Sequence, residues 1–91
     1  MEINKVKYLL SKKGLKFVDI DKQFGLREGV TRFALSKPNP KGEKALSKVL
    51  GISLKELFPE RYDEQGNRLI PQPAKNYTFK KINESLVSNN A

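Results

Sequence analysis

Residues 17–43 constrain the fold of this chain more than any other stretch, because they combine two helical patterns, a glycine turn and a proline-rich hinge. Apolar residues at helical spacing predict a helix over residues 17–24, with one face formed by Phe17, Ile20 and Phe24. Gly25 follows where the chain must turn, and glycine adopts the positive φ that such a turn requires. A second helix of about eight to ten residues is predicted to begin near Arg27 or Glu28. The two helices are therefore expected to cross at a steep angle.

The helix after the turn is predicted to have one face in the core and one face free. Residues expected to point inward are Val30, Phe33, Ala34 and Leu35. Residues expected to point outward are Arg27, Glu28, Thr31 and Arg32. A helix, a short turn containing glycine and a second helix form the helix-turn-helix arrangement, in which the second helix enters the major groove of DNA. The four outward residues are therefore our candidates for contact with base edges.

Arg27 breaks a local rule at the predicted start of this helix. Ser, Thr, Asp or Asn normally caps such a start, and a missing cap costs about 1 kcal/mol. A cation at this end of a helix also opposes the helix dipole. Since violations of this kind concentrate at functional sites, we expect Arg27 to be retained for contact with a guanine edge or a phosphate. The alternative is a solvated arginine without a role.

The hinge SKPNPKGE, residues 36–43, is predicted to start a fourth helix, with Asn39 as N-cap and Pro40 in the first turn. Its lysines lie beside a helix N-terminus, whose free amide groups can hold a phosphate. The candidates for phosphate contact are Lys16, Ser36, Lys37, Asn39, Lys41 and Lys44. Such contacts position a protein on DNA without recognising sequence. The alternative is a rigid, solvated linker.

The remaining patterns predict a small all-α domain followed by a tail. A first helix is expected over residues 4–13, and a fifth is expected to follow an N-cap at Ser53. Residues 1–62 would then form a five-helix domain. Residues 63–91 are expected to be mobile or loosely docked, with one short extended segment at Leu69 and Ile70. A weak amphipathic helix farther on would carry Phe79, Ile82 and Leu86.

Charge and composition favour a nucleic-acid partner and argue against other classes. The 91-residue chain has a formal net charge of +8, and residues 1–62 hold 14 basic and 7 acidic side chains. Positive charge concentrated in this way attracts polyanions, although lysines also simply solvate helix faces. The chain has no cysteine and no histidine. We therefore expect no enzyme activity, metal, cofactor or small-molecule substrate. No apolar run is long enough for a membrane span, so a cytoplasmic, nucleoid-associated protein is expected.

Several segments at matching spacing resemble the Ner family of phage and bacterial regulators. They are Gln23-Phe24-Gly25-Leu26 with the helix after it, the hinge at residues 36–43, the segment from Ala45 through Gly51-Ile52, and the ending Phe58-Pro59-Glu60-Arg61-Tyr62. The resemblance covers about residues 3–62 without gaps. It implies a λ-repressor-like helical fold, sequence-specific binding to double-stranded DNA near promoters, and a recognition helix at residues 27–35.

The chain departs from that family pattern at three positions. Arg27 replaces the usual capping hydroxyl, and Asp21 lies where a small residue is common. Thr31 stands where an apolar residue often packs inward, so a buried Thr31 whose hydroxyl bonds back to its own helix is an alternative to the outward placement.

The sequence thus predicts a DNA-binding transcriptional regulator, with a second copy of itself expected on adjacent DNA sites. Two other classes stay open. One is a non-specific architectural or recombination-associated DNA-binding protein. For such a protein, random duplex would compete for binding as effectively as the selected site. The other is a protein-interaction module such as an antitoxin. Truncation at Tyr62 separates that class, because a self-sufficient DNA-binding domain should survive it.

Overall fold

A computed structural model of the chain describes residues 1–77. It contains the α-helices α1 Ile3–Lys12, α2 Phe17–Gln23, α3 Val30–Ser36, α4 Pro40–Leu50 and α5 Leu54–Leu57. Two short 3-10 helices follow, Pro59–Arg61 and Ala74–Tyr77. Over these residues the only β-type pairing is an isolated antiparallel bridge between Tyr62 and Arg68. The prediction of a five-helix all-α fold is confirmed. The helix predicted through Phe79, Ile82 and Leu86 lies outside the described residues.

One apolar core joins the helices. Its buried members are Val6, Leu10, Ile20, Ala34, Leu35, Ala45, Leu46, Leu50, Leu57, Phe58 and Tyr62. They come from all five α-helices and from the segment after α5, so each short helix is stabilised mainly by packing and less by its own propensity. Within residues 1–77, every helix falls short of the length and apolar character that crossing a membrane requires.

Helices α3 and α4 touch closely because α4 has a glycine where they meet. A Cβ added to Gly42 would lie 2.8 Å from the Cβ of Ala34 and 2.8 Å from the carbonyl oxygen of Val30. Real Cβ atoms do not approach neighbours this closely, so only glycine fits without a shift of either helix. Gly42 therefore sets the distance between α4 and α3.

The predicted starts of α4 and α5 are confirmed. The Gly42 amide donates a hydrogen bond to Asn39 Oδ1 at 3.0 Å, and Pro40 opens the helix. The Glu56 amide donates to Ser53 Oγ at 3.1 Å. These bonds satisfy amide groups that the first turn of a helix leaves without a backbone partner.

Residues 63–77 make hydrogen bonds to the end of the helical domain. The Leu69 amide donates to the Arg61 carbonyl at 3.0 Å, and Gln72 Nε2 donates to the same carbonyl at 3.0 Å. Asn76 Nδ2 donates to the Glu60 carbonyl at 3.0 Å, and Asn76 is buried. The boundary at residue 62 stays a prediction, but these contacts attach the first part of the segment beyond it to the helices.

Candidate nucleic-acid interface

Helix α3 begins at Val30, three residues later than Arg27, where the sequence predicted the earliest start. Gly29 is the N-cap residue and has a φ of 97°, a conformation that L-amino acids with side chains rarely adopt. The chain therefore turns through residues 27–29 before the helix starts. Arg27 and Glu28 are exposed in this turn and lie outside the regular helix.

The cap of α3 comes from α2. Asp21 Oδ2 accepts a hydrogen bond from the Gly29 amide at 2.7 Å, and Asp21 Oδ1 accepts one from the Thr31 amide at 2.9 Å. The Asp21 carboxylate is buried, and its negative charge lies at the positive end of the α3 dipole. The prediction that this helix starts at Arg27 without a cap is therefore wrong. Contact between Arg27 and DNA stays a prediction that no longer depends on that argument.

Thr31 is buried, with a relative exposure of 0%, so its outward placement is wrong. Its hydroxyl donates to Asp21 Oδ1 at 2.9 Å and lies 3.3 Å from the Phe17 carbonyl oxygen. The alternative of a buried Thr31 is correct, but the hydroxyl bonds to α2 and not to its own helix. Thr31 shares the inner face with Ala34 and Leu35, which lie three and four residues later.

The exposed face of α3 consists of Gly29, Arg32, Phe33 and Ser36. Phe33 is 47% exposed, and the prediction that it points inward is wrong. The helical period explains this, because a residue two positions after a buried Thr31 falls on another side of the helix. One signal in the sequence could have placed Phe33 outward. The resembled family often has an inward apolar residue at position 31, and an inward Thr31 turns Phe33 to another side of the helix. The structure thus brings Arg32 and Phe33 together on the free face and leaves Thr31 out of it.

The C-terminal end of α3 is held by Arg61. Arg61 Nη1 donates to the Ala34 carbonyl at 2.6 Å, and Nη2 donates to the Leu35 carbonyl at 3.4 Å. Arg61 is itself buried, and its charge lies at the negative end of the α3 dipole. Both ends of α3 are therefore fixed by a buried, oppositely charged side chain from another part of the chain. No local pattern in the sequence indicates this role for Arg61, because the carbonyl groups that it binds lie 27 and 26 residues earlier.

Glu43 connects Arg61 to the segment beyond residue 62. Glu43 Oε2 accepts from the Asn39 amide at 2.7 Å and from Arg61 Nη1 at 3.0 Å. Glu43 Oε1 accepts from the Tyr62 hydroxyl at 2.7 Å and forms an ion pair with Arg68. The side chain has no exposed surface, so these four donors replace its hydration. We call Glu43, Arg61, Tyr62 and Arg68 the Glu43 network.

The contacts of the network fix its protonation states. Burial alone would raise the pKa of Glu43, but hydrogen bonds from Tyr62, the Asn39 amide and Arg68 outweigh it and lower the pKa below its ordinary value. Burial, together with the adjacent carboxylate, raises the pKa of Tyr62 to about 12. At neutral pH, Glu43 is therefore charged and Tyr62 is a neutral donor to it.

The candidates for phosphate contact differ in their exposure. Lys16, Ser36, Lys41 and Lys44 are exposed, whereas Lys37 and Asn39 are partly buried. The expectation of free amide groups at the start of α4 is wrong for Asn39 and Gly42. The Asn39 amide donates to Glu43 Oε2, and the Gly42 amide donates to Asn39 Oδ1. Any phosphate at this helix start would therefore be held mainly by side chains. Contact between these six residues and DNA stays a prediction.

Comparison with protein families identifies a helix-turn-helix domain in this chain. A family model described as winged helix-turn-helix DNA-binding matches residues 1–74. No curated protein and no solved structure matches the chain. The matched region includes all five α-helices and the Tyr62–Arg68 bridge. The chain therefore belongs to the winged helix-turn-helix DNA-binding family.

Proposed function

We propose that this protein is a transcriptional regulator that binds double-stranded DNA with sequence specificity, as a regulator of phage or prophage Ner type. The observation that carries the proposal is the exposed face of α3, a short helix whose other face is buried and whose two ends are held by Asp21 and Arg61. A helix fixed in this way can enter the major groove without changing its orientation, which keeps the contacts of its side chains with base edges reproducible.

In this proposal Arg32 contacts base edges from α3, and Arg27 and Glu28 do so from the turn before it. All three are exposed. Arginine donates two parallel hydrogen bonds to guanine, and glutamate accepts one from cytosine. The N-terminal end of a recognition helix is the part that approaches the bases, and both residues of the turn lie there. Thr31 has no part in contact with DNA, because it is buried against Asp21.

Phosphate contacts position α3 in the groove. Lys41 and Lys44 are exposed in the first half of α4, which packs against α3, and Lys16 is exposed at the N-cap of α2. Ser36 is the last residue of α3 and the first of the hinge, and Lys37 and Asn39 follow it in the hinge. The side-chain amide nitrogen of Asn39 can still donate, although its oxygen caps α4. These residues lie on α2, on α4 and in the hinge, and α2 and α4 both pack against α3. In the proposal they hold the DNA backbone beside the inserted helix.

Selection of bound duplexes from a random pool tests the proposal directly. We expect one enriched sequence, and we expect two copies of the protein on adjacent half-sites of it. Arg32→Ala should relax the preference at one base-pair position, with a loss of about 1–3 kcal/mol for the preferred base. Lys7→Ala in α1 serves as the control for loss of one charge. If random duplex competes as well as the selected one, the protein is an architectural DNA-binding protein and the proposal is wrong.

A further inference from the structure

Phe33 is an exposed aromatic side chain in the middle of a face that is otherwise polar. Its relative exposure is 47%, and among the described residues of α3 and α4 it is the only exposed large hydrophobic side chain. Single apolar residues at a protein surface are common and need no explanation by themselves. The position of Phe33 is informative because Arg32 and Ser36, on either side of it, are exposed on the same helix.

Phe33 cannot reach the core by rotation of its helix. Turning α3 inward at Phe33 would break the three hydrogen bonds that Asp21 accepts at its start and the two that Arg61 donates at its end. It would also expose Thr31 and Ala34, which have no exposed surface. Gly29 lies one helical turn before Phe33 on the same side and has no side chain to cover the ring. The aromatic ring is therefore held outward.

We propose that Phe33 recognises the 5-methyl group of a thymine in the major groove, an inference that rests on the proposed function and adds a specificity determinant to it. Base edges in the major groove carry hydrogen-bond donors and acceptors at every pair, but the thymine methyl is the one apolar group among them. Among the groups that distinguish one base pair from another in the major groove, that methyl is therefore the one from which an apolar side chain on the inserted helix gains free energy. Arg32, beside it, supplies the polar contacts.

The charges around Phe33 favour DNA over a second copy of the chain as the partner of this face. Arg32 lies next to it, and α4, packed against α3, carries the exposed Lys41 and Lys44. Two copies meeting through this face would bring Arg32 of one copy toward Arg32 of the other, since a two-fold interface pairs the same surface with itself, and each copy has a formal net charge of +8. A polyanion that carries a methyl group in its groove matches both the charge and the apolar ring.

The test replaces thymine by uracil in the selected duplex, one position at a time. Uracil keeps every hydrogen-bonding group of thymine and lacks only the methyl. Removing one buried methyl is expected to weaken binding of the wild-type protein about fourfold. Phe33→Ala should weaken binding to the thymine duplex about tenfold. When uracil replaces the contacted thymine, Phe33→Ala should weaken binding much less.

Two further variants control this comparison. Phe33→Leu keeps an apolar side chain and should retain part of the thymine preference. Tyr8→Ala removes an aromatic side chain from α1 that is 58% exposed, and it should bind both duplexes as the wild type does. Circular dichroism should show that Phe33→Ala is folded, because the ring is outside the core.

The outcomes separate this inference from the proposed function. Sequence-specific binding that does not respond to uracil at any position overturns the role of Phe33 and leaves the regulator proposal intact. So does an equal loss of affinity for the two duplexes in Phe33→Ala, or an effect of that variant on the oligomeric state alone. Wild-type protein that does not distinguish the selected site from random duplex overturns both.

Discussion

Asp21 of α2 accepts a hydrogen bond from the backbone amide of Thr31 in α3 at 2.9 Å, and the same oxygen accepts one from the Thr31 hydroxyl at 2.9 Å. Packing alone fixes the distance between two helices better than their rotation about each other. A buried carboxylate with three donors from the next helix and its N-cap also fixes the rotation. The face of α3 that reaches solvent is therefore determined by Asp21 as much as by the core.

Asp21→Ala is expected to destabilise the domain by about 3 kcal/mol, because it leaves buried amide and hydroxyl groups without an acceptor and removes the cap of α3. Chemical denaturation followed by circular dichroism measures this loss. Asp19→Ala is the matched control, since Asp19 is exposed in the same helix. Its effect should be within about 0.5 kcal/mol of zero. Equal effects of the two variants would show that the Asp21 contacts do not hold α3.

Gly42→Ala is expected to destabilise the protein by about 1–3 kcal/mol, since the new methyl meets Ala34 and the Val30 carbonyl at 2.8 Å. The usual effect of this substitution inside a helix has the opposite sign, a gain of about 0.5–1 kcal/mol. The sign of the change in urea denaturation therefore tests the close approach directly. Lys44→Ala, an exposed change in the same helix, should have almost no effect. A stabilised Gly42→Ala would mean that α3 and α4 are farther apart.

The Glu43 network makes stability depend on pH on the acid side. The pKa of Glu43 is lowered in the folded protein, so its contribution is fully present above the unfolded pKa of about 4.3. It is lost as the pH falls through the folded pKa, because protonated Glu43 cannot pair with Arg61 and Arg68. Glu43→Gln should lower the free energy of unfolding by about 3–5 kcal/mol at pH 7. The difference between the variant and the wild type should shrink below about pH 4.

Denaturation at several pH values measures this difference. Glu60→Gln is the control, because Glu60 is exposed close to the same network in the chain. Its stability should follow the wild type throughout the pH range. A difference between Glu43→Gln and the wild type that stays constant from pH 7 to pH 3 would contradict the role of the charged carboxylate.

Local patterns were sufficient to predict the number and order of the helices. Apolar spacing, the Asn39 cap and the Ser53 cap are all short-range signals, and each was confirmed. The start of α3 was misplaced because its cap lies eight to ten residues away, on α2. A cap supplied by a distant side chain leaves no mark at the helix start itself. The sequence showed that Asp21 departs from the family pattern, but it did not show that Asp21 binds the amide groups of Gly29 and Thr31.

The wrong assignment of residues to the two faces of α3 followed from that misplaced start. With a helix beginning near Arg27, Thr31 could be placed outward and Phe33 inward, and the structure has them the other way round. The helix-turn-helix itself was nevertheless predicted correctly at the level of the DNA-binding family. The Glu43 network was not predicted, because Glu43, Arg61 and Arg68 are separated by 7 to 25 residues and meet only when the helices pack.

A chain ending at Tyr62 is expected to be less stable than one ending at Tyr77 by about 2–3 kcal/mol. The shorter chain lacks the Arg68 ion pair and the bonds of Leu69 and Gln72 to the Arg61 carbonyl. Thermal denaturation of both chains measures the difference. Arg68→Ala in the longer chain should reproduce part of the loss, and Lys75→Ala, an exposed change in the same segment, should not. Equal stability of the two chains would support the boundary at residue 62.

The salt dependence of binding tests the electrostatic part of the interface. If about six phosphates are neutralised, the logarithm of the affinity should fall with the logarithm of the salt concentration at a slope of roughly −5. Lys41→Ala and Lys44→Ala should each make the slope less negative by about 1 and weaken binding to all sequences alike. Lys7→Ala, at an exposed position of α1, removes the same charge outside the proposed contact region and should leave the slope unchanged. A slope near zero would contradict the phosphate contacts, and an equal change in all three variants would mean that only net charge matters.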